Sequence, residues 1–544
     1  MKNYLLLLFF ILYTNTSFAQ VDSLAEGAKI FGIDFEQDEL DSLRESTTEF
    51  LDAYKSIRTH KLTNDVPFSM MFQFPINESK IQEKGSVSVW DFEKVKMPKN
   101  KDDLAFYTVS QLSVLIKNKK LTSEELTMIF LDRLKKYSDT LECTILVLEE
   151  RAIAQAKNAD RLYAAGTYLG PLHGIPFGVK DLLALEGYPT TWGAVPYKNQ
   201  ELNYTASVID KLEAAGGVLI AKLTLGALAW GDVWYGGKTR NPWNLTEGSS
   251  GSSAGSSSAT SAGLVPFAIG SETWGSIVSP STRCGTTGLR PTYGRISKFG
   301  AMALSWSMDK LGPITRSAQD CAIVFDAIYG PDDRDLQTVD YPFAYEAKRN
   351  VKSMKVGYIK SLFDSKSGFN FKNDSALLTK LQSSGIQLVP VELPNEIDPN
   401  ALSFILTAEA AATFDELTLS NQDDALTRQI KNAWPNVFRS GRFIPAVEYI
   451  QANRLRYLLV QQLNEVMKDF DVIITPSFGG TQMLMTNLTG HPCLVLPNGS
   501  YAKETPGSIS LLGNHFDEAS ILRFGEYLQS ITDYHQEHPV MFKP

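Results

Sequence analysis

Over residues 22–60 apolar residues recur at helical spacing among acidic ones, at Leu24, Ile30, Phe31, Phe50, Leu51 and Tyr54. That pattern predicts an acidic helical segment. Pro67, Pro75 and a polar stretch running to Asp103 interrupt it and read as a connector. A different regime starts near Thr108. Thr122-Ser123-Glu124-Glu125 precedes LTMIFLDRLKKY, a capping box at the head of an amphipathic helix. Residues 145–148 then read as a strand and 152–164 as an Ala-rich helix. A Gly/Pro turn at 170–176 leads into a short apolar strand that ends on Lys180, and a helix at 207–215 and a strand at 218–221 follow. Beyond Arg290, strands at 355–358, 386–391, 471–476 and 493–497 surround a long helical region at about 402–467. Such alternation predicts an α/β fold with a largely buried sheet.

The richest Gly/Ser run, TEGSSGSSAGSSSATSAG from Thr246, reads at first as a flexible linker. It continues directly into Leu264-Val265-Pro266-Phe267-Ala268-Ile269, a segment suited to a core, and then into a second Gly/Ser turn at 270–276. A Gly/Ser run joined to a buried segment marks close backbone packing or an anion-cradling loop. No clean linker or repeat interrupts the chain after residue 108. The expected organisation is therefore 1–19, an accessory helical segment with its connector at 20–107, and one large domain at 108–544.

Composition narrows the setting. Of 544 residues 43% are hydrophobic and 21% charged, the balance of a globular protein, and the net charge of −9 argues against a nucleic-acid surface. Met1 to Ala19 combine an early lysine, an apolar run and the close Ser17-Phe18-Ala19, the pattern of a secretory signal. Export to a periplasmic or secreted location is expected, with no membrane span once the signal is removed. The four cysteines, Cys143, Cys284, Cys321 and Cys493, form no C-x-x-C pair; Cys321 and Cys493 lie in apolar runs and read as core. The histidines are dispersed, and neither a metal site nor a cofactor is suggested. The oligomeric state stays open, a homodimer included.

Candidate chemistry centres on Lys180. A lysine among apolar neighbours on a strand is desolvated, which lowers its pKa and makes it a general base. Pairing with Asp181, or reaching for the surface, is the bland alternative. An uncharged amine, a hydroxyl relay and a hydroxyl nucleophile would suffice for acyl transfer without histidine. Gly251-Ser252-Ser253-Ala254-Gly255 fits G-x-S-x-G, but no buried strand precedes it, as the nucleophile elbow requires. The turn at 270–276 follows an apolar segment, and its backbone N–H groups can converge on an oxyanion. Trp230, Trp234 and Tyr235 are candidates for an acyl pocket or for core. His173 and His491, each beside Gly or Pro in a turn, read as structural.

HGIPFGVKD, GSSGSSAGSSSATSAGLVPFAIGSETWGSIVSPS and CGTTGLRPTYGRIS resemble, in order, the motifs of the amidase signature family. NLTGHP from Asn487 and the following LVLPNG resemble its C-terminal pattern. The resemblance spans most of the chain from about residue 108. It implies a large mixed sheet flanked by helices and an amidase, a hydrolase of linear amide C–N bonds that acts on a small-molecule or peptide amide. It implies Ser276 as nucleophile, Ser252 as a bridging serine in a cis peptide, Lys180 as base, and the N–H groups of Thr273, Trp274, Gly275 and Ser276 as oxyanion hole. Ser305-Trp306-Ser307-Met308-Asp309 resembles a family segment near the site, which implies Trp306 as a pocket residue. The family's first glycine before the nucleophile is Trp274 here, which makes Trp274 a further candidate substrate-binding residue beside Trp230 and Trp306. Ser250 and Ala254 also stand where the family favours glycine. Two alternatives stay open, a glutaminase-type subunit of a tRNA-dependent amidotransferase and an inactive binding protein on the same fold.

Overall fold

The computed structural model describes residues 23–30, 32–60, 87–365, 368–502 and 505–544. The expected signal segment at 1–19 and the part of the connector at 61–86 lie outside the described residues. Eleven strands form one sheet. In chain order they are β1 Thr144–Val147, β2 Pro176–Lys180, β3 Val218–Leu223, β4 Ala268–Glu272, β5 Thr287–Arg290, β6 Lys310–Thr315, β7 Val356–Ile359, β8 Leu388–Val391, β9 Val472–Pro476, β10 Cys493–Ala502 and β11 Thr505–Leu512. Across the sheet the order is β1-β3-β2-β4-β6-β5-β10-β11-β9-β7-β8. β2 runs parallel to β3 and β4, and β7 parallel to β8 and β9. The remaining neighbours pair antiparallel, so the sheet is mixed.

Every residue of β2, β3, β5, β6 and β11 is buried, because helices cover both faces of the sheet. Two-sided burial explains what periodicity could not find. β5 (TGLR), β6 (KLGPIT) and β11 (TPGSISLL) carry Gly, Pro and polar residues without alternation, and pairing with neighbours makes them strands. The expected helix at 123 is present as Ser123–Leu141. Thr122 Oγ1 accepts from the Glu125 N–H at 3.1 Å, and Glu125 Oε2 accepts from the Thr122 N–H at 3.2 Å. The helical region expected at 402–467 is broken into Phe404–Thr413, Asp415–Leu419, Trp434–Gly441 and Ala446–Met467. Pro435 in the first turn of one helix and Pro445 at the N-cap of the next account for the breaks before them.

Helices Ser23–Ile30 and Gln37–Arg58 make up the described part of the accessory segment, which packs on this broken helical layer. Tyr54 meets Phe404 edge-on at 5.5 Å, and Asn436 Nδ2 donates to Ser46 Oγ at 3.0 Å. The buried Arg439 guanidinium gathers Glu39 at 2.5 Å, Asp423 at 2.7 Å and Asp424 at 2.8 Å. All four cysteines are buried free thiols.

Candidate active site

Lys180, the last residue of β2, is fully buried. Its neighbour Asp181 is committed elsewhere. The Asp181 carboxylate is 2.8 Å from Lys222 Nζ, both side chains fully buried, and accepts from Thr191 N–H at 2.9 Å and Thr191 Oγ1 at 2.5 Å. Among the described residues Lys180 therefore has no carboxylate within ion-pair reach. Its Nζ lies 2.7 Å from Ser252 Oγ, 2.8 Å from Ser271 Oγ and 3.2 Å from Ser253 Oγ. A neutral amine offers two N–H donors and one lone pair, which three hydroxyls satisfy when one of them donates. Burial brings the Lys180 pKa down to about 7, against the weaker raising influence of Asp309 and Glu272.

One turn and the end of β4 supply the hydroxyls around this amine. The Gly251–Ser252 peptide is cis, and the chain passes from it into the buried helix Ala254–Ser261. A Cβ on Gly251 would stand 1.9 Å from the Gly231 carbonyl oxygen, so no larger residue fits there. Ser250, where the family pattern has glycine, sits at φ +61. Its N–H donates to Asp232 Oδ2 at 3.0 Å, and its hydroxyl meets Ser279 Oγ at 2.8 Å. The second turn starts later than its sequence suggests. Gly270 and Ser271 belong to β4, which places Ser271 beside Lys180, and the chain turns only at 273–276. Gly275 has φ +86, and the Ser253 N–H donates to the Ser276 carbonyl at 3.1 Å, tying the two turns together. Among the described residues no acceptor takes the backbone N–H of Trp274, Gly275 or Ser276.

Two buried carboxylates hold the second turn. Glu272 Oε2 accepts from Ile277 and Val278 N–H at 2.8 and 2.9 Å, while Oε1 receives Arg290 at 2.7 Å and Asn487 Nδ2 at 2.8 Å. Burial pushes its pKa up, but Arg290 and these hydrogen bonds outweigh it and hold Glu272 at about 2. Asp309 Oδ1 accepts from Thr273 Oγ1 at 2.5 Å, and Oδ2 from the Leu304 and Ser305 N–H groups at 2.7 and 2.9 Å. Burial raises the Asp309 pKa above the ordinary carboxylate value. The sequence assigns no role to Ser253, Ser271 or Glu272, and Asp309 enters it only as the end of the segment that carries Trp306. Glu272 had a signal, being the one charged residue in 248–282; nothing in the spacing brings Asp309 to Thr273.

A cavity of about 240 Å3 opens beside the turn, lined by Ser271, Thr273 and Asp309 together with Leu182, Met302 and Trp306. Trp274 stands exposed on the turn itself. Trp230 does not line this cavity; it lies half-buried with the Arg428 guanidinium 4.4 Å from its ring centroid. Trp234 is buried, donates through Nε1 to the Glu142 carbonyl at 3.2 Å and meets Tyr235 edge-on. His173 binds the Ala159 carbonyl through Nε2 at 3.0 Å, and His491 stacks on His515 at 3.7 Å, so neither faces the lysine cluster.

Comparison with known proteins places the sequence and the fold in one family. The profile of the Amidase family covers residues 125–484. The chain is 30% identical over 483 residues to a glutamyl-tRNA(Gln) amidotransferase subunit from Geobacillus kaustophilus, covering 80% of this chain and 99% of that one. It is 32% identical to the Roseiflexus castenholzii protein of the same name, over 79% of this chain and 97% of that one. The native peptide amidase of Stenotrophomonas maltophilia superposes with a TM-score of 0.72 at 25% identity, across 81% of this chain and 100% of that one.

Proposed function

The chain belongs to the amidase family, and from that premise we propose that it is an exported enzyme hydrolysing carboxylic amides through Ser276, Ser252 and Lys180. The observation that carries the reading is Lys180: fully buried, without an ion-pair partner among the described residues, and within hydrogen-bond reach of three serine hydroxyls. In this reading neutral Lys180 takes the proton of Ser252, which takes that of Ser276 as its oxygen attacks the amide carbon. The carbonyl oxygen gains the charge and is held by the N–H groups of the 273–276 turn, a contribution of about 3 kcal/mol per donor. The C–N bond then breaks, and the proton returns from Lys180 through Ser252 to the leaving nitrogen. Water attacks the Ser276 ester by the same relay, freeing the acid and restoring the serine.

Ser276→Ala in the purified full chain is expected to lose at least about four orders of magnitude in kcat on acetamide. A serine-directed phosphonate is expected to label Ser276 in the unaltered chain. Full hydrolysis by Ser276→Ala sinks the assignment. Export rests on the Met1–Ala19 pattern, and sequencing the mature N-terminus tests it: a start after Ala19 is expected, and a start at Met1 refutes it. The names of the amidotransferase relatives favour a second reading, a glutaminase-type subunit. Hydrolysis confined to glutamine and dependent on a partner protein would select it.

A further inference from the structure

Trp306 is 44% exposed, yet the backbone that carries it is held by buried charges. Glu409, from helix Phe404–Thr413, is buried and accepts from Ser305 Oγ at 2.5 Å, Ser307 N–H at 3.1 Å and Ser307 Oγ at 2.6 Å. The Tyr449 hydroxyl, from helix Ala446–Met467, donates to the same carboxylate at 2.8 Å. Arg456, also buried and on that helix, donates to Ser307 Oγ and to the Ser307 carbonyl, both at 2.7 Å. The Trp306 carbonyl itself accepts from the Tyr293 hydroxyl at 2.6 Å. Asp309 closes the far end of the loop onto the oxyanion turn through Thr273. Burying a carboxylate and a guanidinium costs free energy that is recovered only when their hydrogen bonds are made, so the loop is held in one geometry.

What this clamp fixes is a half-exposed indole on the wall of the cavity beside Ser271 and Thr273. Leu182, Phe299, Met302, Leu304 and Leu311 supply further apolar wall. We propose that Glu409 is a positioning residue that holds Trp306 as a rigid aromatic wall, and that the amides turned over here present a flat aryl group to that ring. The inference rests on the amide-hydrolase reading. A pre-organised aromatic surface favours an aryl group by stacking, beyond the area it buries. Gln at 409 keeps the shape but turns an acceptor oxygen into an NH2 donor facing the serine hydroxyls and the Ser307 N–H.

Full-length protein is assayed on phenylacetamide and acetanilide, which place the ring on either side of the amide, with acetamide as the reference. The unaltered enzyme is expected to favour at least one aryl amide over acetamide by about tenfold or more in kcat/KM, and Trp306→Ala to bring that ratio towards one. Glu409→Gln is expected to lower the ratio by about fivefold, through a higher KM for the aryl amide with kcat retained. Ser305→Ala, which removes one Glu409 contact, should lower the ratio in the same direction. A clamp that merely stabilises the fold would reduce both substrates alike and leave the ratio unmoved. An unmoved ratio in folded Glu409→Gln and Ser305→Ala overturns the positioning role, and no aryl preference in the unaltered enzyme overturns the substrate class. If no amide is cleaved, it is the hydrolase reading that has failed. Calorimetry with phenylacetate and acetate then decides the wall separately: equal affinity for the two overturns it, and phenylacetate binding weakened about tenfold by Trp306→Ala supports it.

Discussion

At the scale of residues, the site depends on which partner each buried charge has. Lys180 and Asp181 are adjacent in sequence, but Asp181 is taken by Lys222 and Thr191, which leaves the Lys180 amine to the serines. With burial bringing Lys180 to about 7, the neutral amine that the proposed relay needs is lost as pH falls through that value. kcat/KM on acetamide should therefore fall by about one log unit per pH unit below 7 and level off above it. A profile flat from acid to alkaline pH contradicts the base role. Asp309 is one of the negative charges that raise the lysine, so Asp309→Asn should move this limb to lower pH. The same variant should lower the plateau, because with the amide oxygen on the Leu304 and Ser305 N–H groups the NH2 replaces the acceptor of the Thr273 hydroxyl. A limb that moves to higher pH would rule out the electrostatic link.

At the scale of elements, two strands and one turn bring the groups that meet at one amine, and a third strand sets its electrostatics. β2 brings Lys180, β4 brings Ser271, and β6 follows directly on Asp309 and pairs with β4 through the Lys310–Glu272 register. The turn at 250–253 reaches the amine only because glycine lets its backbone touch Gly231. Gly251→Ala must displace one backbone or the other, and urea unfolding should show a loss of about 1–3 kcal/mol, the usual cost of overpacking. Activity should fall far more than stability does, since Ser252 moves with the turn. Unchanged activity in Gly251→Ala would mean that the Ser252 position is not required.

At the scale of the whole molecule, the fold buries all four thiols, including Cys143 and Cys284, to which the sequence alone assigns no place. Cys143 and Cys493 are pushed up to about 12 and about 11 by burial, and burial raises Cys284 and Cys321 as well. A thiol reagent at pH 8 should leave all four unmodified in the native protein and reach all four in denaturant. Rapid native labelling of any one would show that its region opens locally. The accessory helices meet the layer that carries Glu409 and Arg456, through Tyr54 on Phe404 and Glu39 on Arg439. The wall of the cavity is thus braced from behind by a segment far from it in sequence.

Much of this protein was legible in its sequence. Local rules were enough where the determinant is local: the Thr122–Glu125 box starts its helix, and the β2 apolar run ends on its lysine. Lys180, Ser252 and Ser276 stood out because motif residues sit in fixed order along the chain, and packing brings the lysine to Ser252 and joins the two serine turns. Other features depended on the tertiary structure because they are products of pairing between distant segments. β5, β6 and β11 are strands by their neighbours rather than by their own pattern. Which aromatic residue lines the cavity was likewise undecidable locally, since Trp306 and Trp230 differ only in what the fold packs against them. A hydrogen bond such as Asp309 to Thr273, or Glu409 to Ser305, spans 36 or 104 residues and leaves no periodic trace. Only the folded chain brings such partners within reach.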